Sequence, residues 1–323
     1  MIKIMGTGSA AASRVVTNND LAAIGETSDE WIQTRTGISE RRMLAEGETL
    51  EGLAERASLD ALTGSGLAAS ELDLIIVGTF TPTNFTPNTA STLKKKLGAE
   101  RAIAFDLNAA CSGFVYAVWV MESLMKANGY KNALVVGAEA LSTVTNWEDR
   151  STFVLFGDGA GAAVFQAGEG GKSGILASCV HSYDDVADSL IVTGIDVATP
   201  FNKKEDEKSI IKMDGATVFK FATATCTAII EELIEKAGIT IEQVDYIVPH
   251  QANGRIVDYV AGKLGVPKEK FFKNMDRYGN TSAASVPIAL HEMWEEKKPK
   301  AGEIVLVVAF GGGLTAGGFV MEV

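Results

Sequence analysis

FGDGAGAAVF (Phe156–Phe165) and FGGGLTAGGFV (Phe310–Val320) share a phenylalanine, a glycine cluster and a closing apolar run. Before each of them lies an apolar segment typical of a buried strand, ALVVG at Ala133–Gly137 and VLVVA at Val305–Ala309. Matches of this kind at two distant places in one chain indicate an internal duplication. The chain is therefore expected to consist of two similar halves.

Two further matches occur in the same order in the two halves. GLAASELDLIIV (Gly66–Val77) corresponds to GITIEQVDYIVP (Gly238–Pro249), and Lys96-Leu97-Gly98 corresponds to Lys263-Leu264-Gly265. Four ordered matches are difficult to attribute to chance. The halves are expected to cover residues 1–168 and 169–323, with ligand chemistry between them.

The order of the elements predicts an α/β fold, because runs rich in Val and Ile alternate with helical segments. The predicted strands are Asp73–Gly78, Ala133–Gly137, Ala160–Phe165, Tyr246–Val248 and Ile304–Ala309, and the predicted helices include Leu53–Leu62 and Ala222–Ala237. The opening MIKIMGTGSA predicts a short strand that enters a glycine turn. The charge-dense segment Asp196–Lys208 predicts an exposed loop.

The composition excludes several classes of protein. Of the 323 residues, 46% are hydrophobic and 22% are charged, which is ordinary for a globular protein and excludes intrinsic disorder. The formal net charge of −12 argues against nucleic-acid binding, because phosphate contacts need Lys and Arg. No apolar run approaches the roughly 18 residues of a membrane span, and the first residues do not resemble a signal peptide. A cytoplasmic protein is expected.

Cys111 is the first candidate for chemistry. NAACSGF (Asn108–Phe114) places it at the start of a long helix, where free N–H groups and the helix dipole favour a thiolate. Its pKa is therefore expected to lie below the ordinary value of about 8.5. A buried cysteine that serves as a small hydrophobe is the alternative, and it suffices for Cys179 and Cys226. Because the three Cys and three His are scattered in sequence, neither a disulfide framework nor a metal site is predicted.

His250 and Asn280 are the other two candidates. His250 lies in PHQAN (Pro249–Asn253), directly after a predicted buried strand, where a side chain can be delivered to a site. A satisfied core histidine is the alternative. Asn280 lies in GNTSAAS (Gly279–Ser285), where a turn followed by a helix cap is the simpler interpretation.

The alignment of the two halves predicts that these three side chains converge. AFDLNAACSGF pairs with FFKNMDRYGNTSA, so that Cys111 and Asn280 take equivalent places and face each other across a pseudo-twofold axis. The strand that ends at Val248 would deliver His250 beside them.

The glycine clusters superficially resemble nucleotide-binding motifs. Gly157, Gly159 and Gly161 in the first half, and Gly311–Gly313 in the second, lack the strand–GxGxxG–helix order and the GK[ST] of a phosphate loop. We expect each cluster to serve packing before a closing strand. The second cluster can also offer backbone N–H groups to an oxyanion.

Together, NAACSGF, PHQAN and GNTSAAS resemble the Cys–His–Asn triad of the β-ketoacyl-acyl carrier protein synthase III family, within the thiolase superfamily. The likeness extends to TSDEWIQTRTGI (Thr27–Ile38), DRSTFVLFGDGAGA (Asp149–Ala162) and FGGGLT (Phe310–Thr315), and so covers essentially the whole chain. The family implies a thiolase-like αβαβα layered fold built from two duplicated halves, and a homodimer.

The resemblance implies a decarboxylating Claisen condensation that initiates fatty acid synthesis. Cys111 would attack an acyl-CoA thioester, and the backbone N–H groups of Cys111 and Gly312 would hold the oxyanion. His250 and Asn280 would donate hydrogen bonds to the thioester carbonyl of malonyl-acyl carrier protein as carbon dioxide leaves. The carbanion would then attack the acylated Cys111 in a dry pocket. Neither a metal nor an organic cofactor is needed, since acyl-CoA and malonyl-acyl carrier protein are substrates.

The family also assigns the entrance and the acyl pocket. The CoA contacts that it implies are Thr27, Trp31, Arg35, Arg150 and Asn253. The adenine would lie between Trp31 and Arg150. Thr86 stands where acetyl-selective relatives carry a Phe, which predicts a pocket open to longer or branched primers.

Acyl carrier protein is acidic, and this chain also carries a net negative charge, so the two proteins would repel each other overall. Lys220, Arg255 and Lys263 match the family's basic docking positions and would form a local patch. Such a patch steers the encounter despite the overall charge. Ordinary solvated charges are the alternative.

The same motifs bear on other possible functions. A degradative thiolase would need a second Cys, which Phe310–Gly318 lacks, and an elongating synthase would carry a His in place of Asn280. A specialised acyltransferase of secondary metabolism that uses CoA-bound extender stays open, although the basic positions disfavour it. A non-catalytic acyl-CoA-binding homologue also stays open, although the intact triad argues against it.

Overall fold

The computed structural model describes residues 1–168, 173–194 and 209–323, so the predicted Asp196–Lys208 loop lies outside the described residues. The strands are β1 (Ile2–Ala11), β2 (Arg14–Thr17), β3 (Glu40–Met43), β4 (Leu74–Gly78), β5 (Ile103–Leu107), β6 (Asn132–Ala140), β7 (Asp158–Ala167), β8 (Gly174–Ser182), β9 (Leu190–Val192), β10 (Ile211–Met213), β11 (Tyr246–Pro249), β12 (Ile304–Gly311) and β13 (Thr315–Glu322). The α-helices are α1 (Asn18–Ala22), α2 (Asp29–Thr36), α3 (Leu50–Ser65), α4 (Thr89–Leu97), α5 (Gly113–Asn128), α6 (Arg150–Phe153), α7 (Gly215–Ala237), α8 (Gly254–Leu264), α9 (Met275–Tyr278) and α10 (Ser285–Lys297).

All the strands and helices predicted above are present. Among the helices of the described ranges, none combines the length and the hydropathy that a membrane crossing requires.

Two sheets repeat one topology. The first has the strand order β5-β4-β6-β7-β1 and the second has β11-β12-β13-β8. In the first sheet β4 and β6 are parallel, and β7 and β1 follow in antiparallel pairing. In the second sheet β11 and β12 are parallel, and β13 and β8 follow in antiparallel pairing. The duplicated α/β fold is confirmed, whereas its division at residue 168 stays a prediction.

Helices cover both faces of both sheets. The outer face of the first sheet packs against α3 and α4, and the outer face of the second packs against α7 and α8. Helices α5 and α10 lie between the sheets, where Phe114 and Leu290 share one core with Val135 and Val307. The layers are therefore αβαβα, as predicted.

The apolar runs of the central strands follow from this layering. In β4, Leu74 and Ile76 enter the central core while Ile75 and Val77 enter the outer one, and all four are fully buried. Successive side chains of a strand point to opposite faces, so a strand covered on both faces must be apolar throughout. Each such side chain contributes about 1.5–3 kcal/mol by burial.

The repeated Lys-Leu-Gly motif has a local cause. Its two copies end α4 and α8, with Gly98 and Gly265 as C-caps at φ of +69° and +67°. A left-handed residue after the last turn satisfies otherwise unpaired carbonyls, and glycine adopts that conformation without steric cost. The two copies therefore mark equivalent helix ends.

The glycines near the N-terminus do not form a turn, so that prediction is wrong. β1 is a single strand that contains both Gly6 and Gly8, and it pairs with β7. A Cβ at Gly8 would lie 2.3 Å from the carbonyl oxygen of Ala57 on α3. The glycine allows the helix backbone to rest directly on the strand.

The packing role predicted for the first glycine cluster is confirmed. A Cβ at Gly161 would lie 2.5 Å from the backbone N of Ile288 on α10. The glycine lies inside β7 rather than before it, as Gly159 also does.

We expect Gly8→Ala to destabilise the protein, because the added methyl group overlaps the Ala57 carbonyl. Overpacking of this kind costs about 1–3 kcal/mol. The matched control is Gly262→Ala in α8, where a Cβ meets nothing within 4 Å and helix propensity predicts about 0.5–1 kcal/mol of stabilisation. Urea unfolding of both variants measures the difference, and equal midpoints would contradict this account of β1.

Candidate active site

Two short 3₁₀ segments, Ala110–Ser112 and Ser282–Ala284, meet between the two sheets and lead into α5 and α10. Their first residues have φ values of +46° and +48°. Left-handed backbone is uncommon for residues other than glycine, and it persists where the surroundings enforce it. A Cβ at Gly113 would lie 3.1 Å from the Cβ of Ala283, so the two segments are in close contact.

The hydrogen bonds of these segments correct the predicted alignment. Asn108 Oδ1 accepts from the N–H of Ala110 at 3.2 Å, and Asn280 Oδ1 accepts from the N–H of Ser282 at 2.8 Å. Asn280 is therefore equivalent to Asn108 and not to Cys111. The prediction was wrong because α9 extends the connection before Asn280, and residue letters alone do not show where such an extension falls.

Cys111, His250 and Asn280 nevertheless line one cavity of about 110 Å³, which we call the triad cavity. The other lining residues include Leu155, Phe156, Leu190, Val218, Phe219, Asn253, Ile256, Phe310 and Gly311. The three polar residues are 7%, 2% and 6% exposed. The structure thus brings the three candidates together in apolar surroundings.

His250 is fixed in place from several sides. It follows β11, its backbone N–H donates to the Val308 carbonyl at 2.8 Å, and its Nδ1 lies 2.6 Å from Ser285 Oγ. Its ring packs against the ring of Phe310 in a T-shaped arrangement, at a centroid distance of 5.1 Å. Burial lowers the pKa of His250 to about 3, so the imidazole is neutral at physiological pH.

Asn280 is held by its backbone and by one side-chain oxygen. Its N–H donates to the Leu155 carbonyl at 2.8 Å, and its own carbonyl accepts from Gly157 N–H at 3.0 Å. Because Oδ1 is engaged by Ser282, the Nδ2 amide is the part of the side chain available to a ligand. The triad cavity therefore offers an amide donor beside a neutral imidazole.

The predicted lowering of the Cys111 pKa is wrong. Burial raises the pKa of the thiol to about 12, the carboxyl of Glu139 adds to that rise, and a hydrogen bond with Ser282 opposes it. Loss of solvent around a charged sulfur outweighs the stabilisation expected at a helix N-terminus. At neutral pH this residue is a thiol.

Sequence reasoning missed Glu139, a buried carboxyl at the end of β6. It accepts hydrogen bonds from the hydroxyls of Thr79, Thr81 and Ser282 and from the N–H of Phe80, at distances of 2.5–3.4 Å. Burial raises its pKa to about 8. An acidic residue that ends the apolar run of a predicted strand is the signal that could have revealed it.

A second cavity, of about 360 Å³, shares Cys111, Phe156 and Leu190 with the first; we call it the apolar cavity. Its lining includes Phe80, Leu141, Phe156, Leu190, Ile191, Val192, Ile211, Gly312 and Thr315. Thr315 Oγ1 donates to the Ala109 carbonyl at 3.2 Å and Ser112 Oγ donates to the Thr315 carbonyl at 3.2 Å. These bonds hold the turn that contains Gly312 against the segment that carries the cysteine.

Thr86 lines neither cavity of the single chain, so its place in the acyl pocket stays a prediction. It lies exposed in the loop between β4 and α4. The walls of the apolar cavity come instead from β9 and β10, from Leu141 directly after β6, and from Phe80 and Phe156. Sequence comparison identifies the position of Thr86, but the path of its loop depends on tertiary contacts.

The residues assigned to CoA lie around Trp31. The guanidinium carbons of Arg150 and Arg35 lie 4.6 and 5.2 Å from the centre of its ring. Because Arg150 contacts the indole directly, an adenine between them requires Arg150 to move. Thr27 Oγ1 is buried and has no hydrogen-bond partner among the described residues. Asn253 lines the triad cavity and donates to the Arg35 carbonyl at 3.1 Å.

The three predicted docking residues are exposed but not equally close to the cavity. Arg255 lies 5.8 Å from the ring of Phe219, a lining residue whose neighbour in sequence is Lys220. Lys263 stands eight residues further along α8, about 12 Å away at 1.5 Å per residue. Arg255 and Lys220 therefore flank the triad cavity, and Lys263 lies apart.

Cys179 has polar neighbours that the sequence did not reveal. It lies on β8 with His181, and ligand atoms of both lie within 4.8 Å of a carboxylate oxygen of Glu232 on α7. Within the described ranges this is the single group with such spacing. Glu232 also pairs with His181 and Lys236 at 2.7 Å each. The carboxylate is thus already satisfied by these two partners.

Comparisons with known proteins agree with this geometry. A family model described as 3-oxoacyl-[acyl-carrier-protein] synthase III matches residues 105–184, and a model for the C-terminal part of the same family matches residues 234–323. A β-ketoacyl-[acyl-carrier-protein] synthase III from Clostridium perfringens is 50% identical over 316 residues, covering 98% of this chain and 97% of the relative.

Solved structures give the same result. The synthase III from Aquifex aeolicus is 46% identical, covers 100% of both chains and superposes with a TM-score of 0.93. The enzyme from Thermus thermophilus is 41% identical, covers 99% of both chains and has a TM-score of 0.92.

The raised pKa of Cys111 predicts its alkylation behaviour. We expect the rate of reaction with iodoacetamide to rise about tenfold per pH unit from pH 7 to 10 without levelling, because the thiolate fraction keeps growing below the pKa. Peptide mass spectrometry separates Cys111 from Cys179 and Cys226, with Cys111→Ser as the reference. A plateau below pH 9 would show that the thiolate is stabilised instead.

Proposed function

The chain belongs to the β-ketoacyl-[acyl-carrier-protein] synthase III family of condensing enzymes, and on that premise we propose how its residues carry out the reaction. It joins an acyl-CoA primer to malonyl-acyl carrier protein in a decarboxylating Claisen condensation that begins fatty acid synthesis. The observation that carries this proposal is the convergence of Cys111, His250 and Asn280 on one cavity, which shares the cysteine with the larger apolar cavity.

Cys111 is the nucleophile of the first half-reaction. Its sulfur attacks the thioester carbonyl of acyl-CoA, and the tetrahedral oxyanion is held by backbone N–H groups of Cys111 and Gly312. The proton of the thiol, whose pKa is raised to about 12, leaves as the S–C bond forms and ends on the departing CoA. The acyl chain then occupies the apolar cavity.

His250 and Asn280 serve the second half-reaction. Both donate hydrogen bonds to the thioester oxygen of malonyl-acyl carrier protein, on which negative charge develops as carbon dioxide leaves. The enolate carbon attacks the acylated Cys111, and collapse of the oxyanion releases the β-ketoacyl product and the Cys111 thiolate. The thiolate then takes up one proton from solvent, because burial raises the pKa of this thiol to about 12. Apolar walls keep water from protonating the carbanion. A protein group serves as nucleophile or hydrogen-bond donor in each step, so we propose that the reaction uses no metal and no organic cofactor.

The entrance is formed by the CoA-binding residues proposed from the family, namely Thr27, Trp31, Arg35, Arg150 and Asn253. The unpartnered Thr27 hydroxyl and the arginine–indole stacking support this assignment, because a nucleotide offers acceptors to the first and a flat ring to the second. Asn253 connects this entrance with the triad cavity.

A homodimer is proposed from the family, and the surface supports it. Strand β5 is the edge of the first sheet, its Ile103 is 52% exposed, and Trp119 and Phe85 are 41% and 75% exposed. Apolar edge strands are normally covered. Thr86 follows Phe85, so any influence of Thr86 on the primer requires a second subunit over this loop. A cytoplasmic location follows from the proposed substrates.

Acyl transfer to the protein tests the proposed nucleophile and the primer. After exposure to equimolar acetyl-, isobutyryl- and octanoyl-CoA, intact-protein mass spectrometry should show one adduct, absent from Cys111→Ala. The apolar cavity predicts that isobutyryl or octanoyl outcompetes acetyl by severalfold. A dominant acetyl adduct would contradict the wide pocket, and no adduct would favour the binding-protein alternative.

Charge reversal tests carrier-protein docking. We expect Arg255→Glu to raise the KM for malonyl-acyl carrier protein about tenfold, with acylation by acyl-CoA unchanged, and the wild-type rate to fall with added salt. The matched control is Lys300→Glu, which lies by the start of β12, at the other end of the strand from the triad cavity. Equal effects of the two reversals would contradict this docking site and favour an acyltransferase with a CoA-bound extender.

A further inference from the structure

We propose that Ser285 is a positioning residue that holds His250 as the Nε2–H tautomer, so that the nitrogen available to the ligand is a hydrogen-bond donor. The inference deepens the proposed function, since it names a residue that sets the state of one of the two donors. Ser285 lies one turn beyond Asn280, at the first position of α10.

The contact between the two side chains is short and fully buried. Ser285 Oγ lies 2.6 Å from His250 Nδ1, and the two residues are each 2% exposed. The backbone N–H of Gln251 also donates to Ser285 Oγ, at 3.4 Å. The hydroxyl thus has one donor on one side and the imidazole on the other.

The direction of the short bond follows from the count of hydrogens. If Nδ1 carried the proton, the Ser285 hydroxyl would accept twice, and its own hydrogen would have no acceptor among the bonds of the described residues. An unsatisfied buried donor costs about 1–3 kcal/mol. If the hydroxyl instead donates to Nδ1, every group is satisfied. The single hydrogen of a neutral imidazole then resides on Nε2.

The segment GNTSAAS (Gly279–Ser285) therefore orients both proposed donors, Asn280 and His250, by different means. Asn280 is oriented by the backbone N–H of Ser282, which every residue except proline supplies, whereas His250 depends on the side-chain hydroxyl of Ser285. The Nε2–H tautomer can donate to a developing enolate oxygen, and the other tautomer would present a lone pair to it. Ser285 should thus affect decarboxylation and condensation but not the acylation of Cys111.

Kinetics of Ser285→Ala separate this role from a structural one. We expect acylation by acyl-CoA within twofold of wild type, and a loss of about tenfold or more in condensation with malonyl-acyl carrier protein. Ser285→Thr keeps a hydroxyl and should recover most of that loss, whereas His250→Ala should lose at least as much as Ser285→Ala. Ser58→Ala, which removes a buried serine bond to Ala54 in α3, is the matched control with unchanged rates.

The tautomer can be observed directly because the chain has only three His. Long-range ¹H–¹⁵N spectra of uniformly labelled enzyme, with His250 assigned by its loss in His250→Gln, should show a protonated Nε2 and an unprotonated Nδ1. In Ser285→Ala a mixture of tautomers is expected. A protonated Nδ1 in the wild type, or equal losses of acylation and condensation in Ser285→Ala, would overturn the inference. Failure of the wild type to acylate or condense would instead overturn the proposed function. In that case the ¹H–¹⁵N spectrum alone would still decide which nitrogen of His250 carries the hydrogen.

Discussion

The close packing of two 3₁₀ segments at the centre of the molecule is the constraint on which the rest depends. A Cβ at Gly137 would lie 2.1 Å from the Ala283 carbonyl oxygen, and one at Gly311 would lie 2.7 Å from the N of Cys111. Larger residues at these places would push the segments apart. Because the segments start α5 and α10, their separation would also open the core shared by the two sheets.

Duplication explains how one scaffold supplies two kinds of group. Each half sends a strand, a left-handed residue and a helix start to the centre, and an Asn side chain caps each turn. In one half the residue after the left-handed position is Cys111, the proposed nucleophile, and in the other it is Ala283. The second half contributes donors instead, since Asn280 and His250 come from its turn and its strand. The two copies have kept their geometry and diverged in their chemistry.

The electrostatics of the centre differ from those of an activated thiolate. Burial keeps Cys111 protonated and His250 neutral, and it raises the pKa of Glu139 to about 8. A site of neutral donors stores little charge before substrate binds, and its hydrogen bonds act on charge that develops during the reaction. The same burial couples stability to acidity. The fold favours neutral His250, so this group contributes stability that is lost as pH falls from about 6.5 toward 3.

The sequence by itself determined an α/β chain of two similar halves, the strands and helices named in advance, and the three motifs of the site, while the αβαβα layering was implied by the resemblance that these motifs carry. These are local patterns, because hydrophobic periodicity, helix caps and short motifs are written in neighbouring residues. Only the tertiary structure decided the equivalence of Asn280 with Asn108, the raised pKa of Cys111, the position of Thr86 outside the cavities and the burial of Glu139. Each of these depends on distant elements that remove water from a group or set the path of a loop, and no stretch of sequence records those contacts.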